Sequence, residues 1–298
     1  MTTVFDNRQV RRAFSRSAAS YDEAARLQHE VEARLLESLV YLDDPRLARP
    51  KPQVVLDLGA GPGRASAAMR KRWPKARVVA VVLALPMLRQ AGKRSGWLRR
   101  FDRVNADVRA LPFLEGSVDV VFSNLCLQWI EDLPAVFAGF RRVLRPGGLL
   151  LVSTFGPETL IELREAFSQA DATPHVSPFA TIAQFGDALV HAGFRNPVLD
   201  RDLHATTYPD MAALMREQRA IGATNALRTR RHTLTGRARF AAAARAYDAF
   251  RTDAGALPAT WEVITAMAWA PEPGAPIREG GFEVTAVPVA SIPVRRRR

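Results

Sequence analysis

Residues able to do chemistry gather first in Asp57-Leu58-Gly59-Ala60-Gly61-Pro62-Gly63, an acid followed by glycines at every second position. Residues without a β-carbon let the backbone take positive φ and come within contact distance of a ligand. The acid ahead of them supplies a charge to meet it. The run that delivers them, Val54-Val55-Leu56, is short, apolar and β-branched. Lys51-Pro52 before it and the glycines after it bound it at the length of a buried parallel strand. Arg64 to Arg72 reads as a helix whose first N–H groups face the same ligand. A dinucleotide site needs G-x-G-x-x-G with the helix start aimed at a pyrophosphate. The spacing here is G-x-G-x-G, so a pyrophosphate is not the expected ligand. An ordinary tight turn after a buried strand is the alternative, and the βαβ pattern that follows argues against it.

This spacing resembles motif I of the class I S-adenosylmethionine-dependent methyltransferases, in which the acid faces the positively charged amino-acid end of the cofactor. The resemblance implies that Asp57, Gly59, Ala60, Gly61 and Gly63 hold S-adenosylmethionine, which leaves as S-adenosylhomocysteine. It also implies that Asp107 accepts from the adenine amine and that Val108 packs on the ring. Asn124, in Ser123-Asn124-Leu125-Cys126-Leu127-Gln128-Trp129, then lies where the methyl group meets its acceptor. Asp107 equally suits capping of the next turn, and Trp129 equally suits filling the core. Enzymes of this class end the second strand in Asp or Glu, which accepts from both ribose hydroxyls. Here Val79-Ala80-Val81-Val82-Leu83-Ala84-Leu85-Pro86 puts Val82 at that position, with Leu83 beside it. Loss of a charged acceptor costs about 1.5–3 kcal/mol, roughly ten- to a hundredfold in affinity. The expectation is a weakened site for the same cofactor.

The elements that must position these residues can be read in order. Val10, Ala13, Phe14, Ala18 and Tyr21, then Leu27, Val31, Leu35, Leu39 and Leu42, recur at helical steps and predict two amphipathic helices in an N-terminal arm over residues 1–50. Asp43-Asp44-Pro45 and Arg49-Pro50-Lys51-Pro52 end them. After the glycine loop come a strand over Arg77 to Leu83, a helix over Pro86 to Lys93, and strands over Arg103 to Ala106 and Val118 to Ser123. A helix over Leu133 to Leu144, the breaker Arg145-Pro146-Gly147-Gly148 and a strand over Leu149 to Phe155 complete the alternation. Pro157 to Ala170 and Thr181 to Ala192 read as helices, Val198 to Thr207 as a strand, Met211 to Ala220 and Arg237 to Arg251 as helices, and Thr260 to Trp269 as a last strand. The pattern predicts an α/β fold with a mostly parallel seven-stranded sheet of the Rossmann-like class I methyltransferase type. Its ligand lies at the carboxyl ends of the strands. Residues 51–208 and 258–270 form the core, with a lid helix near 157–170. Residues 209–257 are far longer than a hairpin loop and predict a helical lid. The tail 271–298, proline-rich and closing on Arg295 to Arg298, is expected to be irregular.

A net charge of +12 and a pI near 10.9 invite a nucleic-acid partner. The excess is spread along the chain, almost all of it arginine, with Lys51, Lys71, Lys75 and Lys93 the only lysines, and no nucleic-acid fold signature accompanies it. A basic face also suits an acidic protein by electrostatic steering. No stretch approaches the roughly 20 apolar residues of a membrane span, and the N-terminus lacks the apolar core of a signal peptide, so a cytoplasmic protein with no membrane partner is expected. One cysteine, Cys126, makes neither an internal disulfide nor a metal site, and no metal is expected.

Over nearly the whole chain to about Ala270, the sequence resembles the malonyl-acyl-carrier-protein O-methyltransferases of biotin synthesis. The likeness is carried by Ala13-Phe14-Ser15-Arg16-Ser17-Ala18-Ala19-Ser20-Tyr21, by Ser123 to Trp129, by Pro174-His175, by Met215-Arg216-Glu217-Gln218-Arg219-Ala220-Ile221-Gly222-Ala223-Thr224-Asn225 and by Leu257-Pro258-Ala259-Thr260-Trp261-Glu262. It implies methylation of the free carboxylate of a malonyl thioester on the phosphopantetheine of an acidic acyl carrier protein, by a monomer. That carboxylate is ionised at neutral pH and needs no general base. A cation must hold it, for which Arg216 and Arg219 are the candidates, and Tyr21 closes the arm over the cofactor. Two departures stand out besides the matches: Val82, and Thr265 with Met267 in the last strand, where relatives carry an aromatic residue and His, which bears on the site rim. Gly156-Pro157-Glu158-Thr159-Leu160 and Pro174-His175-Val176-Ser177-Pro178-Phe179 also resemble arginine hydroxylases of respiratory-complex assembly. That function and a non-catalytic carrier-protein binder are the alternatives.

Overall fold

The structure is a computed structural model that describes residues 4–44, 50–96, 100–231, 233, 236–272, 277–279 and 282–284. Seven strands form one sheet: β1 (Val54–Leu58), β2 (Arg77–Val81), β3 (Asp102–Val104), β4 (Val118–Ser123), β5 (Leu144–Phe155), β6 (Arg195–Tyr208) and β7 (Leu257–Trp269), in the order β3-β2-β1-β4-β5-β7-β6. β1 to β5 pair in parallel, and β7 runs antiparallel to both β5 and β6. The crossovers are α4 (Arg64–Arg72), α5 (Leu85–Arg94) and α6 (Leu133–Val143), while α7 (Ile161–Ser168) and α8 (Ile182–His191) lie between β5 and β6.

Strand residues alternate between two cores, as a doubly covered sheet requires. Leu56, Leu58, Val79, Val81, Val121 and Leu150 face α6 and α8, where Phe137, Phe140 and Phe185 are fully buried. Val55, Val78, Ala80, Val120 and Phe122 face Met69 and Trp73 of the α4 side and Leu35 and Leu39 of the arm. Each of those phenylalanines contributes about 1.5–3 kcal/mol through burial. A third cluster, including Phe155, Leu163, Phe167, Met211, Leu214, Tyr247 and Trp261, gathers α7 with α9 (Met211–Ala220) and α10 (Arg237–Tyr247), the two helices between β6 and β7.

Several boundaries differ from those read in the sequence. The arm's first helix, α1 (Asn7–Ser17), starts before Val10 because the Asp6 carboxylate accepts from the N–H groups of Arg8 and Gln9. It stops before Tyr21, which opens the short α2 (Tyr21–Ala24); α3 (Arg26–Glu37) follows and ends in a 3₁₀ turn over Ser38–Asp43. β2 ends at Val81, so Val82 and Leu83 lie past the strand. The Arg145 to Gly148 stretch, expected as a breaker, lies inside β5, and the register with β4 shifts between Val118 and Val120 to accommodate it. Pro157 to Leu160 is a turn ahead of α7. The tail is not wholly irregular, since β8 (Ile277–Glu279) and β9 (Phe282–Val284) pair antiparallel; Arg295 to Arg298 lie outside the described residues. No helix among the described residues is long and apolar enough to cross a membrane.

The arm is sewn to the segment between β6 and β7. The Asp6 N–H donates to Ala226 O at 2.8 Å, Phe5 bridges Leu227, and the Ser20 hydroxyl donates to Ala220 O at 2.7 Å. Both segments thereby cap the same end of the sheet, the carboxyl ends of β1, β2 and β4.

Candidate active site

The glycine loop leaves β1 with its Gly59 and Ala60 N–H groups donating to Val81 O at 2.9 and 3.3 Å, which pins it to the end of β2. Gly59, Gly61 and Gly63 all have positive φ (72°, 51° and 77°), for different purposes. A β-carbon on Gly59 would lie 2.5 Å from Cys126 Sγ, and one on Gly63 would lie 2.9 Å from Ala91 and Phe101. At Gly61 it would meet only Tyr21 Cε1, at 3.9 Å. Gly59 and Gly63 therefore permit close packing, and Gly63 borders neither cavity, while Gly61 keeps space open. Cys126 is occupied by that packing, and burial pushes its thiol up to about 12.

The space beside Gly61 is a cavity at the β1/β4 switch of strand order, where ligands of open α/β sheets bind. It brings together Gly59, Gly61, Val82, Leu83, Asp107, Val108, Asn124 and Tyr21. Asp107 caps the turn that follows it and also borders the cavity. Its Oδ1 accepts from the Arg109 N–H and Nε at 3.0 and 2.9 Å, closing the turn, and its Oδ2 takes the Arg109 guanidinium at 2.5 Å, leaving acceptor capacity on Oδ2. Burial would raise this carboxyl, but the bonds from Arg109 outweigh it and hold it below its ordinary value. Val82 is buried in an apolar cluster with Ala18, Ala84, Met87 and Leu88, against which Phe14 and Tyr21 of the arm pack. Asn105, unremarked in the sequence, donates its amide to Val82 O and Leu83 O at 2.7 and 3.0 Å, fixing the backbone just past β2.

A smaller niche behind the loop holds Asp57 and Ala60 together with Glu32 and His29 of α3 and Arg64 of α4. Asp57 accepts from the Ser66 hydroxyl at 2.5 Å; burial raises its carboxyl to about 7 against the pull of Ser66. Glu32, 3.1 Å from Arg64 Nε, rises to about 8 through burial and the nearby Asp57, with Arg64 and Arg94 opposing. The sequence reading missed Glu32. Its signal was an acid four residues after Gln28 on the face of α3 that carries Val31 and Leu35, where only a functional or paired carboxylate belongs. Two acids among cations match a zwitterionic amino-acid end, and with the empty space at Gly61 the residues present fit S-adenosylmethionine.

A second cavity of about 1,170 Å³ shares Phe14, Tyr21, Leu125 and Trp129 with the first. Trp129 stands between them, edge-on to Phe14 at 5.5 Å and Phe5 at 6.2 Å, so it is wall and not sheet core. Leu125 holds a positive φ of 43° with its N–H on Ser153 Oγ, and the Asn124 amide spans Ser153 Oγ and Gln28 O. Strain of this kind in a non-glycine residue costs about 1–3 kcal/mol and concentrates at functional sites. The cavity is mainly apolar, with Phe155, Leu163, Phe167 and Phe179 among its walls. Arg219 is the one arginine or lysine among the described residues on it. Arg216 is not brought there: it points to solvent and pairs with Asp210 at 3.9 Å. Thr224 Oγ1 and Gln128 Oε1 are buried without a hydrogen-bond partner among the described residues. His175 stacks on Phe167 at 4.0 Å with Nε2 on Asp171 at 3.1 Å. Tyr21 borders both cavities and the acid niche, and burial, with Glu32, Cys126 and Asp22 nearby, raises its phenol well above the ordinary value, so it remains an O–H donor. Thr265 and Met267 do not shape this rim. They line a separate hollow with Arg34 and Leu35, because that stretch of β7 lies beside the arm, away from the strand ends. The described residues contain no His, Cys, Asp or Glu group able to hold a metal ion.

Comparisons with known proteins bear on the fold and the family. The family model described as a methyltransferase domain matches residues 56–152. The YcgJ protein of a Bacillus species superposes with a TM-score of 0.56 at 15% identity, covering 82% of this chain and 99% of its own. A SAM-dependent methyltransferase from Thermotoga maritima does so with a TM-score of 0.50 at 13% identity, covering 88% and 99%. At such identities the likeness shows the class I methyltransferase fold alone. Among curated sequences, the malonyl-acyl-carrier-protein O-methyltransferase of Xylella fastidiosa is 62% identical over 100% of this chain and 99% of its own. That of a Methylovorus species is 42% identical over 97% of each. The biotin biosynthesis bifunctional protein BioHC of Saccharophagus degradans is 37% identical over 86% of this chain and 45% of its own. Identity that runs at this level through arm, sheet and the helices between β6 and β7 alike has one meaning: the chain belongs to the malonyl-acyl-carrier-protein O-methyltransferase family.

Proposed function

We propose that the protein methylates the free carboxylate of a malonyl thioester carried on the phosphopantetheine of an acyl carrier protein, with S-adenosylmethionine as methyl donor, at an early step of biotin synthesis. The observation that carries this is the meeting of two cavities at Tyr21, Leu125 and Trp129, one suited to the cofactor and the other apolar with one guanidinium on its wall. Asp57 and Glu32 face the cofactor's ammonium, the backbone at Gly61 gives it room, Asp107 takes the adenine amine and Val108 the ring. When bound there, S-adenosylmethionine supplies an electrophilic methyl group.

The residues of the chain then have only to bind, orient and exclude water. A malonyl carboxylate is already ionised at neutral pH, so the reaction requires neither a general base nor a metal. Arg219 holds the carboxylate by a charge-assisted, two-pronged contact, and the Thr224 hydroxyl, without a hydrogen-bond partner among the described residues, donates to it. Tyr21, Phe14 and Trp129 shut water away from the junction. Fixed geometry of this kind supplies most of the acceleration in a reaction between two bound partners. In this reading residues 1–50 are an arm over the cofactor, 209–257 a lid over the substrate, and the remainder to 270 the catalytic core.

The test is incubation with S-adenosylmethionine and malonyl carrier protein, followed by mass spectrometry of the carrier. A methyl ester on the malonyl group is expected, hydrolysable by an esterase. Cofactor binding by calorimetry with no methyl ester formed would favour the hydroxylase, and absence of cofactor binding a non-catalytic carrier binder.

A further inference from the structure

We propose that the outer face of α1 is the surface on which the acidic carrier protein docks, an inference that rests on the function proposed above. α1 carries Arg8, Arg11, Arg12 and Arg16 and no acid. Its inner face is set by Val10 and Ser17, which are buried, and by Phe14, which walls both cavities. At 100° per residue the arginines fall in one arc of roughly 140°. The arc begins at Arg11, on the edge of the cofactor cavity, and turns through Arg8 and Arg12 to Arg16 on the solvent side.

What marks this stripe is that its side chains are unpaired and sit on the helix that walls both cavities, whereas Arg237, Arg239 and Arg245 of α10, also without a salt bridge among the described residues, border neither. Arg64 meets Glu32, Arg72 meets Asp43, Arg77 meets Asp102, Arg109 meets Asp107 and Arg230 meets Asp6. The exposed side chains of Arg8, Arg12 and Arg16 pair with no acid among the described residues. Like charges on one short helix repel one another, whereas an acidic surface laid across them would gain from each. The position fits a carrier better than any other polyanion. Phe14 lies on the opposite side of the same helix, in the substrate cavity, so a partner seated on α1 delivers its tethered thioester over the edge of the helix towards Tyr21 and Arg219.

The experiment compares methyl-transfer kinetics on two substrates bearing the same malonyl group: malonyl carrier protein, and malonyl-pantetheine, which has neither protein nor phosphate. In R8E/R12E/R16E the KM for malonyl carrier should rise on the order of tenfold or more, with malonyl-pantetheine kinetics within about twofold of wild type and the salt dependence of the carrier KM lost. R8Q/R12Q/R16Q should show a smaller rise in the same direction, which keeps the test decisive if charge reversal lowers the melting temperature. An equal loss on both substrates would place the stripe in the arm's closure and overturn docking. An unchanged carrier KM overturns it too, including the case where the variant loses only its retention on DNA or RNA. If the wild type methylates neither substrate, the function fails and the docking surface with it; if it methylates both, only the docking surface is at stake.

Discussion

A side chain at Gly61 enters space that no protein atom fills, since its β-carbon would meet only Tyr21 at 3.9 Å. Gly61→Val should therefore weaken S-adenosylmethionine binding at least about tenfold, measured by calorimetry, on top of a positive-φ strain of about 1–2 kcal/mol. Gly116→Val supplies the control. Gly116 has φ of 59° with open space around it, so it should show the strain as a lowered melting temperature and leave cofactor affinity alone. Equal affinity in both variants would remove the glycine loop from the cofactor site. Val82 tests the missing ribose acid, and the structure changes what its replacement should do. In Val82→Asp the new carboxylate is buried against Ala18 and Met87, so the ligand-free protein should melt lower. The upward shift on adding S-adenosylmethionine should grow in return, because a charged acceptor contributes about 1.5–3 kcal/mol to the complex. An analogue without ribose hydroxyls should show no such growth. Glu32 links the site to pH. Its carboxyl rises from 4.5 to about 8 on folding, so the folded state binds the extra proton. The stability this supplies is complete below pH 4.5 and lost as pH climbs through 8. Glu32→Gln abolishes that dependence. Thermal melts of the ligand-free protein should show the variant gaining on wild type from pH 5 to 8, and parallel curves would exclude Glu32 as a titrating group.

The turn from β5 into α7 illustrates how an element can read as a functional motif and turn out to be a joint. Glu262 of β7 is buried, and its carboxylate accepts from the Glu158 N–H at 2.7 Å and from Arg201 Nε of β6 at 2.5 Å. The Thr159 hydroxyl bonds both the O and N–H of Glu262 at 3.1 Å, and the Leu160 N–H donates to Thr260 O at 2.7 Å. A β-carbon on Gly156 would strike the Glu262 carboxyl at 2.3 Å, which accounts for that glycine. The stretch Gly156 to Leu160, which also resembles arginine hydroxylases, is thus occupied in tying three elements together beneath the second cavity. Arg201→Ala removes the counter-charge from a buried carboxylate. It should lower the midpoint of denaturant melts, with cofactor affinity unchanged. An unchanged midpoint would mean that water replaces the guanidinium.

At the scale of the molecule, the arm is a wall of the first cavity. Of α1, only Val10 and Ser17 are buried, while Asn7, Val10, Arg11 and Phe14 border the cofactor cavity. A segment with so little burial opens locally at small free-energy cost, and a ligand held beneath it should close it by mass action. Saturating S-adenosylmethionine should therefore slow tryptic cleavage at Arg8, Arg11, Arg12 and Arg16, followed by mass spectrometry of the released peptides. Cleavage at the same rate with and without cofactor would show that the arm does not close over it. The sequence by itself determined the parallel strands, the glycine loop and the positions of Asp57, Asp107 and Asn124. These follow from local rules: apolar period, strand length, and glycine where φ is positive. It also placed the helices between β6 and β7 and, by resemblance, the family. Only the tertiary structure decided that Arg219 faces the second cavity while its neighbour Arg216 pairs with Asp210. It alone showed that Glu32 of the arm stands beside Asp57, and that Val82 serves as packing for Phe14. Each of those depends on which face of one element meets another far away in the chain. A periodicity names the apolar face of a helix, but the partner across it is set by how the whole sheet and its covers close.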